Sequence, residues 1–223
     1  MVQTLFTNRI GGISSPPYES NNLALHVGDS NISVSRNREL LESLTGPTQY
    51  MNQIHGDSVA LVDALSDHEP NSDALVTTET GIALAVLVAD CIPLLLWDED
   101  EHVIAVAHVG RKGLLNEVAM KTINVMNTLG AQRIHAILGP SICGNCYEVG
   151  RDIYDEVSTA FPRARSLTAK GTSALDLPAA LSFELSRVGV KVSRSPICTV
   201  ENSNYFSYRR DGTTGRQAGL IWQ

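Results

Sequence analysis

The sequence predicts an α+β domain with a mixed β-sheet core flanked by helices. Three observations lead there. Short apolar runs rich in β-branched residues fill the middle of the chain, amphipathic helical patterns lie before and after them, and the two kinds neither alternate strictly nor segregate. Strict alternation would have pointed to a doubly wound parallel sheet. With 223 residues and no internal repeat, low-complexity tract or linker, residues 1–223 read as a single domain.

The elements follow in order. Gly11, Gly12, Ser14, Ser15, Pro16 and Pro17 form a turn-rich opening, and SVSRNRELLESLT after it has helical spacing through Val34, Leu40, Leu41 and Leu44. The amino-terminal part therefore reads as loop, then helix. Strands are expected at residues 58–62, 74–78, 83–90, 93–97 and 103–109. Between 114 and 129, the positions Leu115, Val118, Thr122, Val125, Met126 and Leu129 recur at three and four, and Gly130 stands where a helix C-cap would. Beyond this helix, RIHAILGP reads as a strand and RDIYDEVSTAF as a short helix. DLPAALSFELSRVG is a helix with Pro178 in its first turn, and KVSRSPICTV and RQAGLIW are strands.

Composition narrows the function classes. An apolar share of 43% and a charged share of 18%, without charge blocks, describe a globular protein. A net charge of -7 disfavours nucleic acid and anionic membranes as partners, because both are held mainly through Lys and Arg. The run IALAVLVADCIPLLLW is interrupted by Asp90 and Pro93 and is shorter than the ~20 residues of a membrane span, so it reads as sheet core. MVQTLFTNRIGG has no secretory pattern, and a cytoplasmic location is expected. In that reducing compartment four cysteines are better suited to metal ligation or nucleophilic chemistry than to a disulfide scaffold.

The stretch ADCIPLLLWDEDEHVIAVAHVG reads as an antiparallel hairpin. With residues 98–101 as its loop, Trp97 faces His102 and Cys91 faces His108, their Cβ atoms roughly 4.5 to 5.5 Å apart. Pro93 makes a local irregularity expected, since it cannot donate to the ladder. A buried Cys and a core His satisfied by a carbonyl would look the same in sequence. His55, on a loop before a strand, adds a third donor, and a His/Cys/His set suits Zn²⁺ with a fourth position open. Asp90, Asp57 or Asp73 is expected to orient one of the imidazoles.

The motifs TNRIGG, NLALHVGD, NQIHGDSV, DALVT, VADCIPLLL, AVAHVGRKG, LGPSICGNCYEVG, ICT and NYFSYRRDGTTGRQAGLIW occur in the order seen in the bacterial YfiH-like family, which the chain resembles from Thr7 to Trp222. That family was long labelled multicopper polyphenol oxidase or laccase domain, and its members are now regarded as purine nucleoside phosphorylases. The resemblance implies a single YfiH/CNF1-like α+β domain with zinc, rather than copper, held by His55, Cys91 and His108. These are also the implied catalytic residues. It further implies phosphorolysis of adenosine, inosine, guanosine or methylthioadenosine, deamination of adenosine, and a role in peptidoglycan editing.

By the same resemblance Asn22 and His26 border the pocket. Where the family commonly has AHAGWRG, this chain has AHVGRKG, so Arg111 replaces a Trp and Lys112 an Arg. The loop CGNC departs from IGPCC. From charge alone, Arg111 and Lys112 in GRKG, together with Arg9, Arg209 and Arg210, are candidate anion contacts. Phe206 and Tyr208 are candidate walls for a nucleoside, or strand packing. His68, His102 and His135 read as surface or packing residues. The implied partners are a nucleoside and phosphate, with no nucleic acid or membrane, and a homodimer is left open.

Two other readings stay in view. Cys91 as a thiolate nucleophile with His108 as its base would make a cysteine amidase editing peptidoglycan precursors. A closed structural zinc would need Cys143, Cys146 or Cys198 as fourth ligand.

Overall fold

The computed structural model describes every residue except Glu99 and Glu101. In chain order the elements are β1 (Gln3–Phe6), α1 (Asn31–Thr45), β2 (Thr48–Gln49), β3 (Val59–Leu61), β4 (Ala74–Thr77), β5 (Ala83–Val88), β6 (Ile92–Asp98) and β7 (Val103–Val109). They continue with α2 (Arg111–Leu115), α3 (Val118–Thr128), β8 (His135–Leu138), α4 (Arg151–Ala160), β9 (Arg165–Leu167), β10 (Ser173–Leu175), α5 (Leu177–Arg187), β11 (Lys191–Arg194), α6 (Tyr208–Asp211) and β12 (Gln217–Trp222). Among the described residues the strands make a six-stranded sheet, β11-β8-β6-β7-β4-β3, a four-stranded sheet, β1-β12-β5-β2, and the hairpin β9-β10. Both large sheets mix parallel and antiparallel pairs, so the expected α+β class is observed.

The sheets stack face to face, and each carries helices on its outer side. Leu75, Leu95, Ile104 and Val106 of the larger sheet meet Leu84, Val86, Val88 and Ile221 of the smaller one. The alternate residues Val76, Leu94, Leu96, Ala105 and Ala107 face Val118, Ile123 and Met126 of α3 and Leu181 and Leu185 of α5. On the far side, Ala85, Leu87, Ala218 and Leu220 pack on Leu41 of α1. Strands covered on both faces need apolar residues at every position, which is why the IALAVLVADCIPLLLW run is continuous rather than alternating. Among the described residues no helix is long and apolar enough to cross a membrane.

Several boundaries differ from the expectation. The hairpin register is displaced by two residues: Asp98 pairs with Val103, and Pro93, not Cys91, faces His108. The expected loop at 98–101 includes Glu99 and Glu101 and so lies partly outside the described residues. The strand expected to reach Asp90 ends at Val88, because the chain leaves the smaller sheet there. The helix expected from 114 begins at Val118; Glu117, at φ 59°, separates it from the short α2. Gly130, at φ 102°, follows the last turn as expected. The strand expected over 191–200 stops at Arg194. The amino-terminal segment, expected to be loop, supplies β1, which pairs with β12.

The loop before α1 is held by Asn37, a fully buried polar residue on that helix. Its Nδ2 donates to Ser14 Oγ (3.0 Å), the Ser20 carbonyl (3.1 Å) and the Asn22 carbonyl (2.9 Å), and its Oδ1 accepts from Ile13 N–H (2.9 Å). Removing these bonds takes the donor from the buried Asn22 carbonyl and loosens Ile13, while the Ser20 carbonyl keeps Ser14 N–H. Asn37→Ala is therefore expected to lower unfolding free energy by about 1–3 kcal/mol, measured by urea denaturation; an unchanged midpoint would show that the loop is held by other contacts.

Candidate active site

The site begins where the chain crosses between the sheets. Ala89, Asp90 and Cys91 link β5 to β6, with Asp90 in the left-handed region at φ 90°. Such a conformation costs a non-glycine residue on the order of 1–3 kcal/mol, so other contacts must hold it. Here the Asp90 carboxylate accepts from Thr199 Oγ1 (2.7 Å) and Arg209 N–H (2.6 Å), and its carbonyl accepts from Ile142 N–H (2.9 Å). Asp90 thus fixes the crossing next to Cys91 rather than orienting an imidazole.

Asp73, just before β4, does the orienting. It is fully buried; Oδ1 accepts from His108 Nδ1 (2.9 Å) and His55 N–H (3.0 Å), while Oδ2 accepts from Gly56 N–H (2.6 Å) and Ile54 N–H (3.3 Å). Its carbonyl also accepts from His108 N–H at 2.8 Å. Burial alone would raise the Asp73 pKa, but the bonds from His108, Gly56 and His55 bring it below the ordinary carboxylate value. An ionised carboxylate only accepts, so His108 Nδ1 carries a proton, and Nε2, on the side of Cys91, is the nitrogen a metal would take in place of a proton. Asp57, the other candidate for this role, pairs with Lys121.

The two-residue register change keeps Cys91 and His108 on the same face, because side chains alternate with period two. The ligand atoms of His55, Cys91 and His108 lie within 4.8 Å of one another. The His55 and His108 rings meet edge to face, with centroids 4.7 Å apart and planes at 83°. Burial would raise the Cys91 thiol, yet the charge and hydrogen bond of His108, helped by His55, bring it down to about 6. Burial would lower His108, but Cys91 and Asp73 hold it up at about 9. The sulfur is therefore readily ionised, as a metal ligand or a nucleophile must be.

Two imidazoles and one thiolate fit zinc with a position left open. The same donors also form the equatorial set of mononuclear copper sites. Cys143, Cys146 and Cys198 do not close the site; they gather in a separate cluster with Glu201.

A cavity of about 270 Å³ opens over the three ligands, lined also by His26, Gln53, Leu87, Tyr208 and Arg216. The larger cavity of about 580 Å³, beside Arg38 and Tyr50, contains none of them. Burial and the nearby Arg216 lower the pKa of His26, leaving it neutral near pH 7. Gln53 is spent on the wall: Nε2 donates to the Leu87 carbonyl and Oε1 accepts from Leu87 N–H, both at 2.8 Å. Tyr208 is 62% exposed and free to cover a ligand, whereas Phe206 is buried.

Other sequence candidates stand behind or beside this cavity. Asn22 is buried, donating to Asp29 and the Ala24 carbonyl and accepting from Ala24 and Arg216 N–H. Arg9 pairs with Glu19 and lies over the Phe206 ring. Arg111, in the five-residue α2, pairs with Glu156, and Lys112 beside it is exposed. Arg209 donates to the Glu148 carbonyl and lies over Tyr147; Arg210 ties down the loop that carries Glu201. His135 stacks on Trp97, while His68 and His102 are exposed. Arg216 escaped the sequence reading. Its only signal was a lone cation opening the apolar run RQAGLIW.

A family model described as multi-copper polyphenol oxidoreductase laccase matches residues 3–223. The chain belongs to this laccase-like YfiH family. A family member named purine nucleoside phosphorylase in Corynebacterium glutamicum is 46% identical over 231 residues, covering 99% of this chain and 94% of that one. One of the same name in Streptomyces coelicolor is 47% identical over 226 residues, with 97% and 93% covered. Among solved structures, the Neisseria meningitidis protein NMB0706, a DUF152 protein, superposes with a TM-score of 0.91 at 40% identity, covering 99% of this chain and 93% of that one. The Bacillus licheniformis protein YfiH gives a TM-score of 0.89 at 29% identity, with 99% and 92% covered.

Gly110 sets the position of the sulfur. A Cβ at this position would lie 2.8 Å from Cys91 Sγ, closer than real contacts allow. Gly110→Ala is expected to weaken metal binding by the His55, Cys91 and His108 donor set about tenfold or more, by analogy with misoriented ligands. Chelator competition measures this, and unchanged affinity would show that the sulfur is not confined.

Proposed function

We propose that the chain is a zinc-dependent purine nucleoside phosphorylase acting on adenosine, inosine, guanosine and methylthioadenosine, with adenosine deamination as a second activity of the same site. One observation carries this reading: His55, Cys91 and His108 share a cavity with Arg216 and His26, so a metal-type donor set, a guanidinium and an uncharged imidazole face the same small space. The names of the relatives add to it. A cytoplasmic location accords with four free cysteines.

In phosphorolysis a phosphate oxygen forms the new bond to C1′ of the ribose. The C1′–N9 bond breaks, and the purine leaves with its electron pair and takes up a proton. His55, Cys91 and His108 would hold the zinc, which when bound supplies a Lewis acid for the leaving base or for water. Arg216 presents its guanidinium to phosphate, while its Nη1 is steadied by the Thr214 and Gly215 carbonyls, both at 2.9 Å. Its backbone is fixed by Asn22. Neutral His26 is able to donate to or accept from the sugar or phosphate, and exposed Tyr208 offers a stacking face to the base.

A second reading, a cysteine amidase editing peptidoglycan precursors, is favoured by the ionisable Cys91 beside His108. Amino-acid release from a muropeptide precursor by metal-free protein with an alkylatable Cys91 would support it.

Incubation with inosine, with and without phosphate, separates the classes. Phosphate-dependent formation of ribose 1-phosphate is expected, lost in Cys91→Ala. In Arg216→Ala the KM for phosphate is expected to rise about tenfold or more, the effect of losing a charged hydrogen bond. Free ribose formed at the same rate without phosphate would contradict phosphorolysis.

A further inference from the structure

Three cysteines outside the active site meet at one point. The ligand atoms of Cys143, Cys146, Cys198 and Glu201 all lie within 4.8 Å of one another. From these residues we infer that the chain has a second metal site, a structural zinc held by three thiolates and a carboxylate. It is independent of the activity proposed above.

Topology explains the meeting. β8 and β11 are parallel neighbours, so the segments leaving their carboxyl ends run side by side. A parallel bridge between Ser141 and Cys198 continues this alignment, with Thr199 N–H donating to the Ser141 carbonyl at 3.1 Å. Cys143 and Cys146 follow on one tight turn, in which Cys146 N–H and Tyr147 N–H both donate to the Cys143 carbonyl at 3.1 Å. This places two sulfurs on one side of a loop and the third on its neighbour.

The four donors are held in direct contact with one another or with neighbouring backbone. Cys143 N–H donates to Cys198 Sγ at 3.4 Å, and Cys146 Sγ is 3.5 Å from Glu201 Oε1. Cys198 is buried, Cys143 and Cys146 are half-buried, and exposed Glu201 closes the solvent side. The Arg210 guanidinium donates to the carbonyls of Thr199 (2.7 Å), Val200 (3.2 Å), Asn202 (3.3 Å) and Tyr205 (2.7 Å). Itself paired with the Asp211 carboxylate, it fixes the loop carrying Cys198 and Glu201. Soft sulfur donors in a closed set of four favour zinc over hard cations. On binding, the zinc replaces the three thiol protons, which go to solvent.

The site also has a structural task. Ile142 and Thr199, one on each loop, both hydrogen-bond Asp90, next to Cys91. A zinc joining the loops clamps both supports of the strained crossing.

Full-length protein made in zinc-supplemented medium and purified without chelators is expected to contain two zinc ions per chain. Cys143→Ser/Cys146→Ser is expected to lose one, while His55→Ala/His108→Ala loses the other. A zinc content unchanged by Cys143→Ser/Cys146→Ser overturns the inference, whatever happens at the active site. If that variant does not fold, alkylation of the native protein followed by mass spectrometry decides. Protection of Cys143, Cys146 and Cys198 that is lost on adding chelator supports the site; alkylation before chelator, or a disulfide among the three, overturns it.

Discussion

The Asp73 carboxylate is the constraint on which the candidate active site depends. One buried group holds the His108 ring and three successive backbone N–H groups, those of Ile54, His55 and Gly56. The loop bearing His55 and the strand bearing His108 are therefore referred to the same two oxygen atoms. An isolated buried carboxylate would be costly, but four donors offset the lost hydration and keep it ionised. Its charge in turn favours a protonated Nδ1 on His108.

The third ligand reaches this assembly through the architecture of the sheets. β5 lies in one sheet and β6 in the other, so the chain must cross the gap between them at Ala89 to Cys91. That gap is filled by apolar side chains along most of its length and opens at the end where His108 and Cys91 lie. Close packing determines the fine position of the sulfur, since the absence of a side chain at Gly110 leaves the space it occupies. Asp90, anchored by distant parts of the chain, keeps the crossing bent.

Much of this was legible in the sequence because it depends on periodicity. The doubly covered strands wrote themselves as long apolar runs, and the sheet-facing residues of α3 recur at three and four. The hairpin shows why a partly wrong reading placed the right residues together: a displacement of two residues preserves the face, whereas a displacement of one would have put Cys91 and His108 on opposite sides. Less visible were features with little local signal. β1 and β2 are short and gain their identity from pairing with β12 and β5. Glu117 interrupts a pattern that continues on both sides of it. Arg216 carries no motif of its own, and CGNC gave no hint that Cys198 would join it, because that contact is made by the parallel pairing of β8 and β11.

The most direct test of the central claim is the tautomer of His108 in the zinc-loaded protein, read from a nitrogen-15 histidine NMR spectrum with His108→Gln for assignment. The Asp73 constraint predicts a proton on Nδ1 and metal coordination through Nε2. A proton on Nε2, with Nδ1 bound to zinc, would contradict the account, because Asp73 would then not be what aims the ring.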